Sequence, residues 1–209
     1  MHFSRDQINN LDKITRINLI NSCTGYKSAN LIGTISKKGI TNVAIFSSVT
    51  HLGSNPPTLG FILRPTSVPR DTYKNIKESG VFTINHVYEN IIKDAHHTSA
   101  KYKEEISEFD ITNLEPEFHH PCIAPFVKGS PIQIEMMFID EYLIKSNNVI
   151  HVIGEIKNIY VKDELIEKDG FINLLKAKTA AINGLDAYVI AKSITRFEYQ
   201  RPKVVQNIK

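Results

Sequence analysis

The spacing of apolar residues changes character several times along this chain, and each change predicts an element. Ile8 and Leu11 share one face behind Ser4, so Ser4 to Leu11 reads as a short helix with Ser4 as its cap. Ile14 to Ile20 keeps an apolar pattern that suits either a helix or a strand. From Ala29 the pattern becomes strand-like. Asn30 to Ser36, a turn at Lys37-Lys38-Gly39 and Thr41 to Ser48 together predict a hairpin. Asn55-Pro56-Pro57 breaks the chain before a strand at Thr58 to Leu63. Proline has no backbone donor, so the pair belongs at a strand entrance or a sheet edge. Tyr73 to Ser79 reads as a helix capped by Asp71 or Thr72 and ended by Gly80.

Val81 to Val87 returns to a strand, and residues 88–118 read as a charged, helical and looped insertion. Ile132 to Phe138, Val149 to Ile153 and Glu155 to Val161 predict three more strands, with Gly154 as a bulge or bend between the last two. Ile172 to Ala181 predicts a helix and Thr195 to Tyr199 a final strand. Six or more strands with few helices between them imply a mainly β fold with added helices, an antiparallel barrel. No repeat, low-complexity tract or Gly/Ser linker interrupts the chain, so residues 1–209 read as one domain.

Composition narrows the class. With 42% hydrophobic and 22% charged residues, the chain has the make-up of a folded domain and not of a disordered one. The net charge of +3 is too small an excess to imply nucleic acid or an anionic membrane as partner. No apolar run approaches the ~20 residues of a membrane-spanning helix. The first residues, Met-His-Phe-Ser-Arg-Asp-Gln, lack the apolar stretch of a secretory signal. The expectation is a cytoplasmic protein whose two cysteines, Cys23 and Cys122, are buried thiols and not a disulfide.

The densest polar cluster is Asn42-Val-Ala-Ile-Phe-Ser47-Ser48-Val49-Thr50. A strand that ends in consecutive hydroxyl residues sets several N–H and O–H groups side by side, enough to hold a phosphate or the edge of a flat heteroaromatic ring. Further on, Arg70-Asp71-Thr72 opens a helix, and a helix N-terminus beside an arginine suits an anion. The same residues are also ordinary capping and surface residues. The adjacent pairs His96-His97 and His119-His120, with His86 and His151, lack metal-site spacing, because neighbouring helical residues face different ways. Ser47 and Ser48 lack the GxSxG elbow of a hydrolase. No GxGxxG fingerprint occurs.

Taken in order, several segments resemble one family. They are Thr34 with Asn42 to Thr50, Asn55-Pro-Pro-Thr-Leu-Gly-Phe61, Arg70-Asp-Thr-Tyr-Lys-Asn-Ile-Lys-Glu-Ser-Gly80, and Phe82-Thr-Ile-Asn85. Ala95-His-His-Thr-Ser-Ala100, Ser107-Glu-Phe-Asp110, Pro125-Phe-Val127, Ile153-Gly-Glu-Ile156 and Gly184-Leu-Asp-Ala-Tyr188 extend the match over most of the chain. Their ordered set resembles the flavin reductase-like proteins with an FMN-binding split barrel, which include flavoredoxin-like proteins and the reductase components of two-component monooxygenases.

The resemblance implies a homodimer of antiparallel split barrels that binds FMN noncovalently near the subunit interface, with FAD left open. Carried over residue by residue, Asn42, Ser47, Ser48, Val49 and Thr50 line the flavin ring and ribityl chain. Arg70, Asp71, Thr72 and Asn75 sit at the phosphate end, with Arg64 as a second phosphate candidate. His97, Thr98 and Ser99 belong to a segment that approaches the ring. Tyr188 either stacks on flavin or packs at the dimer contact. Ile45, Phe46, Val49 and Phe61 offer an apolar slot, with Ile45 and Phe61 reading first as barrel core. The implied activity is NAD(P)H-dependent reduction of flavin, with the nicotinamide a transient donor. The acceptor is free flavin, a partner such as a monooxygenase, or a small molecule. The alternative is a non-enzymatic FMN electron carrier. The flavin carries the chemistry, so no catalytic acid or base is assigned.

Overall fold

A computed structural model describes residues 1–202. Two short helices open the chain. Helix α1 (Arg5–Asn10) is capped by Ser4, whose side chain accepts the Gln7 N–H while the Gln7 side chain accepts the Ser4 N–H. Helix α2 (Lys13–Ser22) settles the ambiguous apolar stretch as helical, because Asp12 accepts the N–H groups of Ile14 and Thr15 at its start. Next come strands β1 (Lys27–Ser28), β2 (Asn30–Ile35), β3 (Thr41–Phe46), β4 (Thr50–Ser54) and β5 (Pro57–Leu63), then helix α3 (Asp71–Ser79) and strand β6 (Val81–His86). The predicted insertion holds a 3-10 turn at Glu89–Ile91 and helices α4 (Ile92–His97) and α5 (Glu108–Ile111). After them run β7 (Pro116–Glu117), β8 (Phe126–Val127), β9 (Ile132–Ile144), β10 (Val149–Val161), β11 (Ala180–Asn183) and β12 (Ala187–Ile190).

The main sheet has seven strands in the order β3-β2-β6-β9-β10-β5-β4, every pair antiparallel. It curls until its two ends meet. Phe46 on β3 and Phe61 on β5 touch edge to face with ring centroids 5.0 Å apart, although four strands separate β3 from β5 in the sheet. Phe61 continues to Phe82 on β6 at 5.8 Å. Period-2 alternation sends Ile32, Phe61, Phe82, Ile84, Met136 and Val152 into this shared interior, the core of an antiparallel split barrel. A second cluster on the outer side packs Leu31, Val43, Val87 and Val127 against Ala95 of α4 and Phe109 of α5. It is covered by the small sheet β1-β11-β12 through Ala180 and Ile182.

Several boundaries differ from the sequence reading. The two strands predicted around Gly154 are one long β10, with the bulge where expected: the register against β9 shifts between Ile153 and Gly154. Neither Asp71 nor Thr72 caps α3. Arg70 holds the cap position without a side-chain bond, and Gly80 ends the helix in the left-handed region, φ 72°.

The predicted helix at Ile172 to Ala181 does not form. Asn173 instead bonds Glu167 with its amide and the Lys176 N–H with its carbonyl, and Lys178 takes φ 50°. These turns deliver Ile172 and Ala177 to the end of the barrel core, and β11 begins at Ala180. Thr195 to Tyr199 pairs with no strand. Arg196 fixes that stretch through Glu167 at 3.0 Å and through its stacking on Phe171. Strands β1, β4, β7, β8 and β12 lie where the sequence reading placed none. Cys122 is buried as expected, but Cys23 at the end of α2 is exposed, and both thiols are free. Among the described residues no helix is long and apolar enough to cross a membrane.

Candidate functional site

The turn between β3 and β4 is Ser47 to Val49, and Thr50 opens β4. Its shape is set by Ser48, whose Oγ accepts the Ile62 N–H at 3.0 Å and donates to the Ile62 carbonyl at 3.2 Å. One hydroxyl thus ties the turn to β5 at the seam where the barrel closes. Ser28 donates to the Val49 carbonyl at 3.4 Å and ties the turn to β1. Ser47 to Thr50 form one wall of an open cavity of about 630 Å³. The opposite wall is the end of α2 and the segment after it, with Ile20, Asn21, Thr24 and Lys27. The Lys27 ammonium donates to the Asn21 carbonyl at 2.9 Å and to the Thr24 hydroxyl at 3.1 Å, which stiffens this wall.

Asn42, Thr72 and Asn75 meet at the other end of β3 and are buried. Asn42 donates to Thr34 Oγ1 at 3.2 Å and to Thr72 Oγ1 at 3.1 Å, and Asn75 donates to Thr34 Oγ1 at 3.1 Å. The network clamps the first two turns of α3 onto β2 and β3. Asn42, Asp71 and Asn75 also border a smaller cavity of about 210 Å³. There Glu104 pairs with Lys74 at 2.9 Å and with Lys38 at 3.3 Å, and the two ammonium groups hold its carboxyl below the ordinary range.

At the start of α3 the Arg70 Nε is buried with no partner. A buried guanidinium nitrogen without an acceptor is rare, and it marks a place where an anion would be stabilised. Arg64 is exposed after β5.

The remaining predicted residues lie on and just after α4. His97 is exposed and shares a hydrogen bond with the Tyr102 hydroxyl at 2.7 Å. Thr98 is buried and donates to the Ala95 carbonyl at 2.7 Å, so its hydroxyl closes the helix. Ser99 is exposed. The structure therefore gathers Ser47 to Thr50 at one cavity and Asn42, Asp71, Thr72 and Asn75 around the start of α3. Arg64, Arg70, Thr72, His97, Thr98 and Ser99 do not line either cavity. Tyr188 leans edge to face on His96, centroids 5.7 Å apart, with its hydroxyl 3.1 Å from His96 Nδ1. Burial and Asp186 push that phenol up to about 12.

The α2 side of the large cavity was not anticipated. Ile20, Asn21, Thr24 and Lys27 carry no local signal, because their role comes only from a long-range approach to the β3–β4 turn. Glu108 was also missed as more than part of a motif. It accepts the Val43 N–H at 3.1 Å on the edge strand β3, and burial raises its carboxyl. Among the described residues no three His, Cys, Asp or Glu side chains form a metal-binding group.

Comparison with known proteins meets this geometry. The model of the flavin reductase like domain matches residues 26–179. A Shewanella frigidimarina NCIMB 400 crystal structure, assigned as a flavin reductase with a split barrel domain, is 46% identical with a TM-score of 0.92. The match covers 96% of this chain and 100% of that one. Nitrilotriacetate monooxygenase component B from Bacillus cereus superposes with a TM-score of 0.81 at 20% identity, covering 94% and 98% of the two chains. Flavoredoxin of Desulfovibrio vulgaris (Miyazaki F) gives 0.73 at 22% identity, covering 83% and 91%. The last two show the shared fold.

Proposed function

Because the chain belongs to the flavin reductase-like family, we propose that it is an FMN-binding oxidoreductase that takes reducing equivalents from NAD(P)H. The observation that carries the reading is the cavity of about 630 Å³ edged by Ser47 to Thr50. It is of cofactor size, within the ~300–1,000 Å³ of small-molecule sites. The donor set fits a flavin. The hydroxyl and amide groups of Ser47, Val49 and Thr50 suit a heteroaromatic edge, while Ser48 keeps the turn in place. Arg70, with its unpartnered Nε, suits the phosphate together with the free N–H groups at the start of α3.

FMN bound there would supply hydride-accepting and one- or two-electron transfer chemistry. The protein's own share is to bind, orient and shield. Asn42, Thr72 and Asn75 hold α3 so that Arg70 keeps its position, and Phe46 and Phe61 supply a rigid apolar floor under the turn. No side chain is assigned a proton-transfer role. With no dinucleotide fingerprint, the nicotinamide binds transiently. The working form is a homodimer, and the acceptor is free flavin or a partner such as a monooxygenase component.

The test is a visible spectrum of protein purified without added flavin, followed by identification of the released chromophore. A two-band flavin spectrum releasing FMN supports the reading. Colourless protein that takes up no added FMN overturns it. NAD(P)H oxidation by the loaded protein then separates a reductase from a carrier. Arg70→Ala should weaken FMN binding by about 1.5–3 kcal/mol, roughly 10- to 150-fold in Kd. An unchanged Kd removes Arg70 from the site.

A further inference from the structure

The chain passes from the small sheet to the main sheet at Ala29, between Ser28 of β1 and Asn30 of β2. The crossing is held on both sides. The Ala29 N–H donates to the Ala180 carbonyl at 3.2 Å, and the Ala29 carbonyl accepts the Val87 N–H at 3.1 Å. Ser28 and Asn30 are two residues apart in extended backbone, so their side chains share a face. Asn30 is 1% exposed. It stands level with Phe46, the last residue of β3 before the turn at Ser47, and on its other side with His86. Among the described residues its side chain makes one hydrogen bond, from Nδ2 to Ser28 Oγ at 2.9 Å. A buried amide with so few bonds adds little to stability, and its effect lies in what it orients.

We propose that Asn30 is a positioning residue for the large cavity, acting through Ser28 on the peptide between Val49 and Thr50. Ser28 Oγ has one proton and two lone pairs. Asn30 donates into a lone pair, which leaves the proton for the Val49 carbonyl 3.4 Å away. Ser28 itself is exposed, so without Asn30 its hydroxyl would turn freely toward water. The inference rests on the proposed flavin reading for its ligand, although the relay itself does not.

The consequence for the cavity follows from peptide geometry. The Val49–Thr50 bond is trans, and a trans peptide is planar with its carbonyl and N–H on opposite sides. Fixing the Val49 carbonyl toward Ser28 therefore fixes the direction of the Thr50 N–H. Ser28, Val49 and Thr50 all line the cavity of about 630 Å³. The turn thus has two anchors with separate tasks. Ser48 holds its middle to β5 through both backbone groups of Ile62, and Ser28, aimed by Asn30, holds its exit. Loss of the second anchor frees the exit peptide to rotate and presents a different polar edge to a bound ring.

The experiment uses the full chain, Asn30→Leu, Ser28→Ala and the double variant, with circular dichroism to confirm that each folds. FMN titration followed by visible absorption gives Kd and the positions of the bound flavin's bands, which respond to polar groups at the ring edge. Loss of one neutral hydrogen bond predicts a Kd raised roughly 2- to 12-fold in each single variant. The double variant should bind no more weakly than the single ones, because the two residues act as one relay. All three should share the same band positions, displaced from wild type. Additive losses in the double variant overturn the proposal, as does an Asn30→Leu protein with the Kd and bands of wild type. A raised Kd with unmoved bands also overturns it, because a loss of stability alone gives that result. Hydrogen exchange across Ser47 to Thr50 needs no flavin. It should quicken alike in Asn30→Leu and Ser28→Ala, and unchanged exchange overturns the relay. Should wild type bind no FMN, the flavin reading fails, while exchange still decides the relay. If Asn30→Leu does not fold, Asn30→Ala is read the same way.

Discussion

His86, the last residue of β6, makes acid sensitivity a sharp test of the barrel's interior. Alternation puts it on the same face as the buried Phe82 and Ile84, and burial pushes its imidazole down from an ordinary 6.5 to about 4. Between those values the unfolded chain binds a proton that the folded chain refuses. Stability from this group is therefore complete above pH 6.5, falls as the pH drops toward 4, and changes no further below that. At pH 5 the unfolded state gains roughly thirtyfold from protonation and the folded state almost nothing. The loss is at most about 2 kcal/mol, rising to about 3 kcal/mol near pH 4. In a domain of this size, 2 kcal/mol corresponds to about 4–8 °C in Tm.

Carboxylates also titrate in this range, so the wild-type curve alone is not diagnostic. The informative quantity is the difference between wild type and His86→Gln, in which all other groups cancel. Urea unfolding at pH 7, 6 and 5 should show wild type losing about 2 kcal/mol more than the variant between the ends of that series. Parallel curves would mean that His86 is not held neutral and that the end of the barrel beside it is wet.

Two further substitutions probe how the scaffold is held. Gly33→Ala would place a Cβ 2.1 Å from the Pro125 carbonyl oxygen and 2.6 Å from Thr83 Oγ1, which already donates to that carbonyl. The backbone cannot retreat cheaply, so thermal unfolding should show a loss of about 3 kcal/mol or more, and a Tm within 2 °C of wild type would contradict the close approach. Asn42→Ala removes the donors to Thr34 and Thr72 in a buried network. It should cost about 1–3 kcal/mol in urea and also weaken FMN binding by loosening the start of α3. A loss of stability with unchanged FMN affinity would separate that network from the site.

The contrast between what was and was not legible in the sequence follows range of interaction. The hairpin of β2 and β3, the strand β5 opened by Pro57, the stop at Gly80 and the bulge at Gly154 were readable because each depends on a few adjacent residues. Ile172 to Ala181 was misread because its pattern is equally good for a helix and for turns that drop Ile172 and Ala177 into a barrel end, and only the barrel decides. The segment Thr195 to Tyr199 alternates as a strand should, yet a strand needs a neighbour, and Arg196 secures it to Glu167 and Phe171 instead.

The site divides along the same line. Ser47 to Thr50 announces itself as a run of hydroxyls, whereas the opposing wall of Ile20, Asn21, Thr24 and Lys27 has no pattern of its own. Asn42, Thr72 and Asn75 were expected through the family resemblance, Asn42 at the flavin ring and ribityl chain and Thr72 and Asn75 at the phosphate end. The fold spends their donors on one another and on Thr34, which leaves the binding role at this end to a nearby buried nitrogen without a partner, Arg70 Nε. A buried polar network that satisfies itself positions its neighbours, and a buried donor that nothing satisfies is the better indicator of where a ligand belongs.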